Sequence, residues 1–92
     1  MRRGFDHLFA EISVGVGQLV PRYALWLRLR ELGIDPERLV HTQAVAFCRA
    51  HLDAFLREHG MALAPRAARR VVRAVARLDP AAPTPAEWAA RL

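Results

Sequence analysis

The chain is expected to fold as an all-α domain, a small bundle of three principal helices plus a short C-terminal one, with the first helix kinked or broken near residues 15–21. Apolar residues return at helical spacing along most of the sequence, and glycine or proline punctuates each segment so defined. An apolar fraction of 53% with a net charge of only +5 also leaves enough hydrophobic surface for a core. At 92 residues that core belongs to a single domain, 1–92. A domain of this size hides only about 60–65% of the surface its unfolded chain exposes, so a homo-oligomer or a subunit of a larger complex is expected.

In the first segment Phe5, Phe9, Ile12, Val16, Leu19, Tyr23 and Trp26 recur at steps of four and three, a helical seam kept in phase throughout. Gly15 and Gly17 each cost a helix about 1 kcal/mol relative to alanine, and Pro21 removes a backbone donor, so the interruption is placed at 15–21. Broken fully, Ile12, Val14 and Val16 alternate like a short strand, which has no partner strand in this sequence. Gly33 follows Arg28, Arg30 and Glu31 and ends the unit.

Asp35-Pro36 is a helix start signal, and Val40, Ala44, Phe47, Cys48, Leu52, Phe55 and Leu56 keep a 3.6-residue period to Gly60, predicting one helix over 36–59. On its outer side Arg49, Asp53 and Arg57 stand four apart, the pattern of a solvated face. Pro65 opens a third helix that runs to about residue 79 and stops before Pro80. Pro80-Ala81-Ala82-Pro83 reads as a stiff spacer, and Thr84-Pro85-Ala86-Glu87 as a capping box that launches the last helix, with Trp88 and Leu92 on one side. The expected core comprises Phe5, Phe9, Ile12, Leu19, Tyr23, Trp26, Phe47, Leu52, Phe55, Val71, Val75 and Trp88.

The charge is unevenly placed. Residues 1–60 carry eight arginines against seven acids, and residues 61–92 carry six against Asp79 and Glu87. All 14 basic residues are arginine, a composition that also fits a GC-rich coding background. Arg66, Arg69, Arg70, Arg73 and Arg77 fall within one arc of the third helix about 100° wide, opposite Ala68, Val71, Val72, Val75 and Leu78. No acid lies between Glu58 and Asp79 to balance them. Solvent and salt are enough to neutralise such a face; the planar guanidinium fork also matches phosphate and carboxylate, and docking of an anionic partner through it, nucleic acid by preference or an acidic protein surface, is the expected function. Arg22, Trp26 and Arg30 are the secondary candidate, an aromatic flanked by arginines at four-residue spacing that can stack a base or make an internal cation–π pair, while the place of Trp26 in the apolar seam favours the core. A helix-turn-helix would send Arg66, Arg69 and Arg70 to base edges, but the connection 60–64 is long for that motif and so is the helix before it. The alternative is a helical adaptor or assembly subunit that acts through apolar surface, against itself or a larger protein.

The remaining candidates each lack a group that their chemistry needs. His41, Cys48 and His51 have a spacing reminiscent of metal ligands but lack a fourth, so no metal and no cofactor is expected. His7 and Glu11 read as an ordinary i,i+4 surface pair, and His51 beside Asp53 resembles a phosphate-accepting histidine in nothing else. Gly15-Val16-Gly17 lacks the third glycine and the preceding strand of a dinucleotide fingerprint. Ser13 and Cys48 have no context for an activated nucleophile, so no enzyme activity is expected. Cys48 is the single cysteine, which excludes an intrachain disulfide. Residues 12–21 form an uncharged stretch half as long as a membrane span requires, and Asp6 and Glu11 spoil a signal-like reading, so no membrane contact and a cytoplasmic location are expected.

Overall fold

The computed structural model describes residues 3–77. Five α-helices are present there: α1 (Arg3–Val16), α2 (Arg22–Glu31), α3 (His41–Ala50), α4 (Leu52–Glu58) and α5 (Pro65–Ala76), with a 3₁₀ turn at Pro36–Arg38. No strand occurs among the described residues, and no helix among them is long and apolar enough to cross a membrane. The expected C-terminal helix, with Trp88, lies outside them.

The first seam breaks completely. At Gly17 φ is +88°, a conformation glycine adopts without strain, and the amides of Gly17 and Gln18 both donate to the Ser13 carbonyl at 2.9 and 3.2 Å. Ser13 is itself buried, and its Oγ accepts a hydrogen bond from the Val20 amide at 3.3 Å. Pro21 then stands at the cap of α2, where its missing N–H costs nothing. The five-residue turn rotates the second half of the seam. Leu25 and Leu29 reach the core fully buried, whereas Leu19 and Tyr23, expected inside, are 76% and 72% exposed. Trp26 is half-buried and meets Phe5 edge-on, with ring centroids 5.1 Å apart.

The second segment is also subdivided. Asp35 caps as expected, its Oδ1 accepting from the Glu37 amide at 2.9 Å, but the turn it opens lasts only three residues. Leu39 and Val40 are extended, and Leu39 is buried in the core. The helix restarts at His41, with the Gln43 side chain accepting from the Val40 amide at 3.2 Å. At His51 (φ −129°, ψ −16°) it bends into α4, although the His51 amide still bonds the Phe47 carbonyl at 2.8 Å and the Phe55 amide the His51 carbonyl at 3.0 Å. Ala44, Phe47, Cys48, Leu52, Phe55 and Leu56 are all buried across the bend, as the period requires, and Val40 is not.

α1 lies at the centre, in contact with α2, α3, α5 and the 3₁₀ turn. Phe5, Leu8 and Ile12 form its core face. α5 crosses it close to Gly15, where a β-carbon would come within 2.7 Å of a Val71 methyl. The His7 Nε2–H donates to the Ala74 carbonyl at 3.1 Å, filling an acceptor in the last turn of α5. Arg28 joins α2 to α4, paired with Glu58 and stacked on Phe55 at 5.6 Å from the ring centroid.

Candidate functional site

α5 is strongly amphipathic. Val71 and Val75 are buried, Ala67, Ala68, Val72 and Ala74 are half-buried, and Arg66, Arg69, Arg70, Arg73 and Arg77 are all exposed. The helix forms because proline occupies its first position and alanine, arginine and valine fill the rest with no breaker before Arg77. Tertiary packing fixes its roll: α1 holds one flank at Val71 and Ala74, and α3 holds the other.

Among the described residues three arginines are held by acids, and Arg30 and Arg38, outside α5, are not. Arg22 pairs with Asp6 and lies 5.1 and 5.0 Å from the centroids of Phe5 and Phe9, Arg28 pairs with Glu58, and the Arg57 Nε donates to Asp53 at 3.1 Å. Among the described residues no ion pair reaches any of the five arginines of α5. The arrangement opposes local stability. Arg66/Arg70, Arg69/Arg73 and Arg73/Arg77 are like-charge pairs four apart, and Arg66 sits in a first turn without an acid, facing the positive end of the helix dipole.

The secondary contact is divided. Arg22 and Trp26 share a surface recess with Phe5 and Tyr23, but the Arg22 guanidinium is held by Asp6 and the two phenylalanines. Arg30 lines a separate recess with Gly33, Ile34 and Asp35.

One arginine missed from the sequence joins the α5 face. The stripe Arg49, Asp53, Arg57 offers one acid to two bases, and Asp53 goes to Arg57, which leaves Arg49 without an ion pair among the described residues. Arg49 lines an open groove of about 540 Å³ between α3 and α5, together with Cys48, Asp53, Ala68, Arg69, Val72 and Arg73. The two-to-one ratio was visible in the sequence; the groove was not, because it needs α3 and α5 side by side.

His41, Cys48 and His51 do not assemble, and among the described residues no three His, Cys, Asp or Glu side chains gather as a metal ion would need. His7 turns to Ala74 rather than to Glu11. Burial pushes the Cys48 thiol up to about 12, so it is protonated at neutral pH. Alkylation of Cys48 by iodoacetamide at pH 8 is accordingly expected to be about a thousandfold slower in the native protein than in denaturant, as the thiolate fractions dictate. Equal rates by mass spectrometry would contradict the burial.

No protein-family model matches this chain, and no curated protein or solved structure is significantly similar to it.

Proposed function

We infer that the protein is a small non-catalytic binding module that docks nucleic acid through its phosphates on the arginine face of α5. The observation that carries this reading is the gathering on one helix face of five exposed arginines that make no ion pair with a described acid, where Arg22, Arg28 and Arg57 are each held by one. From Arg66 to Arg77 the face spans about 16 Å at the helical rise, too far for one small anion to neutralise, so a polymer with regularly spaced charges suits it. Guanidinium also grips phosphate oxygens bidentately. The single serine and the single cysteine support a non-catalytic role, since Ser13 is buried and bonded to Val20 and Cys48 is held protonated.

A second reading has an observation of its own. On α2, Tyr23 and Leu27 are exposed on the side away from the buried Leu25 and Leu29, and Leu19 is exposed just before them. Such a surface supports an adaptor or assembly subunit that associates with itself or a larger protein.

Light-scattering mass on a size-exclusion column, at low and high salt with and without oligonucleotide, separates the two. The first reading predicts a complex at low salt that dissociates as salt rises. A salt-independent oligomer that ignores oligonucleotide would replace it with the second.

A further inference from the structure

The groove between α3 and α5 has an uncharged floor and charged walls. Cys48, Ala68 and Val72 form the apolar part of its lining, Arg49 stands on the α3 side, and Arg69 and Arg73 stand on the α5 side. At about 100° per residue the stripe on α5 divides: Arg69 and Arg73 turn toward the Ala68–Val72 flank, and Arg66, Arg70 and Arg77 lie farther round the helix. The groove and the outer arginines are therefore one continuous basic surface with an apolar slot along its edge.

The occupant is constrained by the one acid in the lining. Asp53 Oδ2 accepts from the Arg57 Nε–H at 3.1 Å and the side chain is two-thirds exposed, so its negative charge borders the slot. At the Asp53 end a phosphate or a peptide carboxylate would face that carboxylate, so anions are better held at the outer arginines and this end suits an uncharged group. A flat, uncharged ring bearing N–H groups meets an acceptor instead, beside small uncharged side chains and three guanidinium groups, which stack on nucleobases as aromatic rings do. The slot, at about 540 Å³, is within the range of small-ligand sites.

We propose that the groove takes an unstacked base of a single-stranded nucleic acid, stacked between Arg49 and the Arg69/Arg73 pair, while Arg66, Arg70 and Arg77 hold the flanking phosphates. The inference rests on the nucleic-acid reading above and adds strand type to it: the bases of a duplex are paired and stacked inside and cannot enter the slot, so single strands bind more tightly than duplexes of the same length.

The test uses the full chain, fluorescence anisotropy at about 50 mM NaCl, and three labelled probes of roughly a dozen nucleotides: a single strand, its duplex, and a single strand with abasic sites at its central positions. The abasic strand keeps every phosphate and loses only the bases. Affinity is expected to fall about tenfold from the single strand to the duplex and about tenfold to the abasic strand, the scale of one stacked base, with the salt dependence of the abasic strand unchanged. The variant Ala68→Leu, which narrows the slot with an aliphatic side chain that offers no aromatic face, should bring the intact strand toward abasic affinity, with thermal melting to show that the variant is folded. The probe comparison on the unaltered protein stands without that variant. Equal affinity for intact and abasic strands, or tighter binding of the duplex, overturns the groove proposal and leaves the phosphate-docking reading in place. Failure of all three probes to bind overturns both.

Discussion

Replacing Arg70 by glutamate is expected to stabilise the fold and to cost the protein at least tenfold in affinity for a polyanion. Arg70 is exposed and makes no described ion pair, so its removal loses little packing. It stands four residues after Arg66 and three before Arg73, so Arg70→Glu turns two like-charge contacts into two attractive ones. Each such change is worth about 0.4–1 kcal/mol, counting lost repulsion and gained attraction. A rise of about 1 kcal/mol, or some 4–8 °C in melting temperature, follows for a domain of this size. Affinity moves the other way, because one lost phosphate contact at about 0.1 M salt removes roughly five- to eightfold and the new carboxylate repels the strand besides. A stability gain coupled to a binding loss is the mark of a face kept for function. Thermal melting and anisotropy on the same sample decide it. A less stable variant with unchanged affinity would mean that the arginine serves the fold.

Gly4→Ala should do the reverse of what helix propensity predicts. Within a helix the exchange normally stabilises by about 1 kcal/mol. Here the added β-carbon would lie 2.2 Å from the Leu39 carbonyl oxygen and 3.1 Å from its carbon. That neighbour is backbone, held on one side by the Pro36–Arg38 turn and on the other by α3, with its own side chain buried in the core. It cannot rotate away as a side chain would, so α1 must shift from its place at the centre of the bundle. A net loss of about 1–3 kcal/mol is expected, lowering the melting temperature by some 5–20 °C. A melting temperature equal to or above that of the parent would show that α1 does not approach Leu39 so closely.

The helix ends at Gly33 and Gly60 were legible because the signals are local: the Ile34 amide returns to the Leu29 carbonyl at 2.9 Å and the Met61 amide to the Leu56 carbonyl at 2.8 Å, each closing its helix with hydrogen bonds inside a few residues. The arginine face was legible for the same reason, since all five residues belong to one helix and its period alone sets them together. Leu19 and Tyr23 were misplaced because a four-three rhythm can persist on paper across a break that rotates the chain. Gly17 and Pro21 mark that break, and the Ser13 bonds set the new direction. The single helix over 36–59 failed at Leu39, where packing against α1 outweighs a sound start signal; the need for glycine at position 4 is the other side of the same contact. Arg49 was read as part of a balanced stripe because a sequence shows that two bases share one acid but not which base is left over.

Engagement of several phosphates of one polymer by the α5 arginines shows in the salt dependence of single-strand binding. With three to five contacts at about 0.7 each, a plot of log affinity against log salt should slope between about −2 and −3.5, and Arg70→Ala should make it shallower by about 0.7. A slope near zero, or one that Arg70→Ala leaves unchanged, would contradict it.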